Sequence, residues 1–193
     1  GKRLMLIDPL PDSEGAGELQ RCWHAVLTAE GQWSHLNRLF ERPDAPGEVA
    51  AVGRLMDTVR PGLTCDLHEG HGVGFWLPIP KPAHNPQRVF AMAQAYFDYI
   101  HQRNYPITDY EDWRAGDRTP GAKDYMLPEP RLPGLFWVNT PSLGGGPNLM
   151  DYAGRFGIGF GTEGPMQRPL AMRVDGITHG IQAVIKVWER TLA

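Results

Sequence analysis

Little in this chain marks a function by excess. Cysteine is nearly absent: two residues in 193, Cys22 and Cys65, with no Cys-x-x-Cys pair. That excludes a disulfide framework and a cysteine zinc knuckle. No run nears the roughly 18 apolar residues that a membrane span requires, and no secretory leader is read in it. Neither sign of charge dominates: 19 Lys and Arg stand against 22 Asp and Glu, a net charge of -3. This gives no reason to expect a nucleic-acid partner. No segment repeats. A starting methionine is also missing. The chain opens "GKRLMLIDPLP", with a core-like strand almost at residue 1, and the expectation is a fragment or a processed chain.

Glycine and proline are abundant, at 23 and 18 residues, where an average chain holds about 12% of the two combined. The excess falls mostly between 105 and 170, so long shaped loops are expected there. The hydrophobic share of 41% and charged share of 21% are ordinary for a soluble globular chain. Length is enough for one domain, 1–193, with a sizeable core. Compartment and oligomeric state stay open, with the reading leaning to the cytoplasm.

Leu4 to Asp8 reads as a buried strand. Residues 17–30 fit helix or strand equally. Residues 31–48 look like a loop ending in "APGE", a helix start. From Glu48 to Val59, residues Val49, Val52, Leu55, Met56 and Val59 recur at helical spacing. A buried strand is expected at 63–67. A helix from Pro86 to Arg103 would bury Val89, Phe90, Ala93, Tyr96, Phe97 and Ile100. "LFWVN" and "GIGFGTE" read as strands, the second packed closely through its glycines. A last helix over 177–191 would bury Ile177, Ile181, Val184, Ile185 and Trp188. This alternation predicts an α/β fold with a sheet covered by helices.

The chemistry centres on "TCDLHEGHGVGFW", residues 64–76. His68 is either a structural histidine or a metal or proton site. It follows a strand, and ligands in α/β sheets gather at the carboxyl ends of strands. Asp66 lies two residues earlier, on the same strand face, and could orient the imidazole. "HEGH" is not H-E-x-x-H: its histidines are three apart and Gly70 disfavours a helix, so His71 reads as no matched ligand. Cys65 is a buried thiol rather than a nucleophile paired with His68, because a strand interior gives a thiol poor access. Glu163 ends a glycine-rich apolar strand. It is either a general base, since burial disfavours the charged carboxylate, or a buried acid paired with Arg155 or Arg168. Asn37 and Arg38 form a carboxylate clamp or a loop brace. Arg21 is an oxyanion partner or a surface charge. Trp76, Trp113, Phe136 and Trp137 line a pocket or pack the core.

The ordered set "LIDPLPDSEG", Arg21, "LNRLF", helix, "DLH", long loop, "DYA", "GTE" and closing helix resembles the zinc carboxypeptidase superfamily (M14-type). It is most similar to the branch of succinylglutamate desuccinylase and aspartoacylase-like deacylases. The resemblance runs over nearly all 193 residues, as the later two-thirds of the family's domain. It implies a mixed, mostly parallel central sheet flanked by helices, incomplete at the N-terminus. His68 would be a zinc ligand and Glu163 the general base. Asn37 and Arg38 would hold the substrate carboxylate, and Arg21 would stabilise the oxyanion. Asp151 and Tyr152 would shape the pocket, with Zn2+ as cofactor.

Two departures matter. The family draws its first two zinc ligands from a His-x-x-Glu pair upstream of this region, and no histidine here has glutamate three residues on. Catalytic zinc normally takes three protein ligands. The expectation is that the pair lies in sequence preceding this chain; the alternative is a metal-free binding domain that keeps the fold. The family's peptidases also carry a tyrosine ahead of the glutamate, and residues 139–148 contain none. This tilts the reading toward an amide hydrolase acting on small acyl-amino acids or short peptides.

Overall fold

The computed structural model describes residues 3–9, 20–27, 29, 31, 33–70, 72–81, 85–116, 126–139 and 147–190. For 3–9, 20–25, 33 and 116 the backbone alone is described. Strand β1 (Arg3–Pro9) pairs antiparallel with β2 (Gln20–Leu27), and β2 with β3 (Trp33–His35). The ambiguity of residues 17–30 is thus settled as strand over 20–27 by pairing with β1, a partner that local periodicity cannot show. A single 3-10 turn, Leu36–Arg38, follows, capped by His35, whose Nδ1 accepts from the Asn37 amide.

Helix α1 (Gly47–Val59) buries Val49, Gly53 and Met56, and ends on Arg60 in the left-handed region. Of the five residues of the anticipated stripe, two are buried, Val49 and Met56. Val52, Leu55 and Val59 are exposed, because among the described residues α1 packs on the side toward α4 (Leu149–Ala153). Strand β4 (Leu63–Gly70) comes next, then β5 (Leu77–Pro80) and α2 (Pro86–Gln102). Beyond these lie α3 (Tyr110–Gly116), β6 (Met126–Pro128) and β7 (Leu135–Val138). The chain closes with α4, β8 (Ile158–Pro165) and α5 (Leu170–Arg190).

The result is a mixed α/β fold with parallel strands flanked by helices. β4 pairs parallel with β8, and β5 parallel with β7, while β6 runs antiparallel along β7. The two groups meet where Trp76 and Glu163 exchange both backbone hydrogen bonds, at 3.1 and 2.9 Å. Among the described residues β4 has one neighbour only, so its other edge is unpaired.

The main core lies between α2, α5 and one sheet face. Val89, Met92, Ala93, Tyr96, Phe97 and Ile100 of α2 pack there with Leu77, Ile79, Phe160 and Val184. The predicted α2 stripe holds, with Met92 taking the fully buried place expected of Phe90, which is only partly buried. Trp76, Trp113 and Phe136 form a separate buried cluster with Met126 and Val138. No helix among the described residues is long and apolar enough to cross a membrane.

Candidate functional site

Strand alternation gives β4 two chemically different faces. Leu63 and Cys65 turn toward the α2–α5 core. Thr64, Asp66, His68 and Gly70 take the other face. The strand is less buried than expected: Leu67 is 54% exposed. Burial still pushes the Cys65 thiol up to about 11, and parity puts it on the face opposite His68. Those two facts dispose of a Cys–His nucleophile.

The parallel register sets His68 beside Glu163 and Asp66 beside Gly161. Paired residues in a ladder project to one side, so both carboxylates and the imidazole share a face at the carboxyl ends of two adjacent strands. Asp66 Oδ1 lies 2.8 Å from His68 Nε2. With Nε2 held, Nδ1 is the nitrogen left to bind a ligand, and among the described residues it has no hydrogen-bond partner. The His68 pKa is raised. The hydrogen bond to Asp66 is the largest cause, burial opposes it, the charges of Asp66 and Glu163 add to it, and Arg38 counteracts it. Asp66, His68, Glu163 and Arg38 therefore belong to one electrostatic neighbourhood.

Asn37 is the joint of this site. Its Nδ2 donates to Asp66 Oδ2 at 3.2 Å and lies 3.5 Å from His68 Nε2. Its Oδ1 accepts from the Leu149 amide at 2.8 Å. Both ends of the side chain are thus engaged in the scaffold. Arg38 reaches back to the Asn37 carbonyl through Nη1 at 2.6 Å.

Helix α4 can come this close because glycines face it. A Cβ on Gly159 would collide with the Met150 carbonyl, and one on Gly161 with the Met150 sulfur. Asn148 and Asp151 close a reciprocal cap at the start of α4, with bonds of 2.8 and 3.0 Å. Tyr152 is buried against Phe40, Val49 and Met56, and its hydroxyl donates to Asp57 Oδ1 at 2.9 Å. Asp151 and Tyr152 therefore seat α4, and Tyr152 is buried.

Arg155 pairs with Glu41 at 3.3 Å and lies over the Tyr152 ring. Arg168 donates to the Val73 carbonyl. Arg21 sits in β2 opposite Asp8; its side chain lies outside the described residues, as does His71. Sequence reading missed the joint role of Asn37 and the pairing of Trp76 with Glu163. Neither has a local signal, since each depends on which strand lies next to which.

No three His, Cys, Asp or Glu residues among those described are disposed to share a metal ion. His68 suits one ligand position, with Asp66 as the carboxylate that orients its ring. The described residues do not complete a catalytic zinc shell.

No family model matches the sequence, and no curated protein matches it. Among solved structures, one described as a "putative metallopeptidase" from Shewanella amazonensis is similar in shape, at 13% identity and a TM-score of 0.46. The match covers 84% of this chain and 52% of that one, so this chain spans about half the length of that protein. Similarity at this level carries no argument about activity.

Proposed function

We propose that this chain holds the proton-handling half of a hydrolytic site that cleaves an amide or peptide bond in a small acyl-amino acid or short peptide. The observation that carries the reading is the pairing of an oriented imidazole, His68 on Asp66, with the Glu163 carboxylate across two parallel strand ends.

Each residue has a part. Asp66 accepts from Nε2–H of His68 and fixes the ring, and Asn37 braces Asp66 against α4. Glu163 takes a proton from the attacking water and returns it to the departing amine. Arg38 holds a substrate carboxylate through its planar fork. Arg21, by the family resemblance, stabilises the charge developing on the carbonyl oxygen. Zinc bound at His68 Nδ1 would lower the pKa of water and polarise the carbonyl. Its remaining protein ligands must come from outside the described residues. The edge of β4 that has no partner strand among the described residues gives them a place, because a strand added there would run beside His68.

The test is Glu163→Gln in the complete protein, with zinc content, thermal midpoint and hydrolysis of N-acyl-amino acids and dipeptides measured on one preparation. Glutamine keeps the size and cannot take the proton. Turnover should fall about two to four orders of magnitude at unchanged zinc content, whereas His68→Ala should lose zinc and activity together. Wild-type turnover in Glu163→Gln would remove Glu163 from the mechanism.

The second reading, a metal-free binding domain, is favoured by the absence of a three-donor cluster among the described residues. It expects no bound metal in the complete protein and no hydrolysis in any preparation.

A further inference from the structure

Gly70 stands where β4 ends, on the same face as Asp66 and His68. Its backbone gives no reason for glycine: the glycines with positive φ among the described residues are Gly31 and Gly134. Space does give one. A Cβ built on Gly70 would lie 2.8 Å from Glu163 Oε2 and 3.5 Å from Glu163 Cδ, with Trp76 Cζ2 at 3.7 Å. The Glu163 carboxylate therefore lies across the bare Cα of Gly70, with the indole of Trp76 bounding the same notch.

Of the two sides of this contact, the carboxylate is the far end of a flexible side chain and the strand is not. The Gly70 carbonyl accepts from the Met166 amide at 3.1 Å, and Gly70 is paired in register with Pro165, so the strand end is pinned. The Glu163 backbone is pinned as well, by its two bonds to Trp76. The side-chain torsions of Glu163 are what can change, and Trp76 Cζ2 lies 3.7 Å from the same added Cβ.

We infer that Gly70 is a positioning residue: its missing side chain is what allows the Glu163 carboxylate to reach its place beside His68. This rests on Glu163 being the proton carrier proposed above. A methyl group at residue 70 moves the carboxylate rather than the pinned strand. Alanine at an ordinary strand conformation is if anything more favourable than glycine, because it restricts the unfolded chain. Substitution should thus separate function from stability.

The experiment takes Gly70→Ala, and Gly70→Ser as a second variant, in the complete protein, each alone and combined with Glu163→Gln. Thermal midpoints should hold or rise by up to about 3 °C. A crystal structure of Gly70→Ala should show the Glu163 carboxylate displaced over an unmoved β4. On N-acyl-amino acids and dipeptides, kcat should fall roughly 10- to 100-fold with KM little changed. Gly70→Ala combined with Glu163→Gln should be no slower than Glu163→Gln alone, because the effect passes through one carboxylate. A carboxylate in its original place overturns the inference. So does an equal loss of kcat in the Glu163→Gln background, which would route the effect through something else. Should Glu163→Gln turn over at the wild-type rate, the proton-carrier reading fails, and the crystal structure alone then decides the positioning of the carboxylate.

Discussion

On one side of β4 and β8, Leu63, Cys65, Ile158 and Phe160 lie under α2 and α5, in a core closed by volume alone. On the other side of the same two strands, Asp66, His68 and Glu163 stand with Gly159 and Gly161 under the short helix α4. There the chain is held by hydrogen bonds of Asn37 and by close backbone approach. The apolar face tolerates changes that conserve volume, since it has no direction to satisfy. The polar face depends on the placement of a few atoms, so it answers to changes that barely alter volume.

Breaking the apolar face should cost most in stability. Phe160 is fully buried, and Phe160→Ala should destabilise by about 3–5 kcal/mol, read from denaturant unfolding. A loss under about 1 kcal/mol would mean that this face is not a packed core. Breaking the seat of α4 should cost less. In Gly159→Ala the new methyl meets backbone, the carbonyl of Met150, and not a flexible side chain. Overpacking of this kind costs about 1–3 kcal/mol. The displaced helix should weaken the Leu149–Asn37 bond, visible as faster amide exchange at Leu149 than at Phe160. Unchanged exchange at Leu149 would separate α4 from the site.

The smallest effect concerns pH. In the metal-free protein the folded-state pKa of His68 is raised, chiefly by its hydrogen bond to Asp66. The folded state then binds the proton more tightly than the unfolded one. The stabilisation is complete below the unfolded value of about 6.5 and is lost as pH rises through the higher folded value. The midpoint advantage of wild type over His68→Gln should therefore shrink from pH 5.5 to pH 8.5. A constant difference across that range would deny the Asp66–His68 coupling.

The sequence was legible where one face of one element decides. The period of α2 and the two-residue alternation of β4 set Tyr96 and Phe97 inside and Asp66 with His68 together, before any tertiary information. It was least legible at the start of α5. The last helix was expected only over 177–191. The helix in fact begins at Leu170. Gly176 lies against the ring of Phe75, where a Cβ would not fit, and Asp175 accepts from Tyr99 and Tyr105, both at 2.9 Å. Two residues that weaken a helix locally are thus used by its tertiary neighbours.

The sequence by itself determined the α/β alternation and the residue types offered at the strand ends, because both follow from local spacing. It also made Asp66 the natural partner of His68, since residues two apart share a strand face. Only the tertiary structure decided that Glu163 lies beside His68, that Asn37 joins the turn to β4 and α4, and that Tyr152 turns into the core. Those facts depend on parallel register and on how closely one backbone approaches another. Both are fixed by distant glycines and by shared packing, which no window of sequence contains.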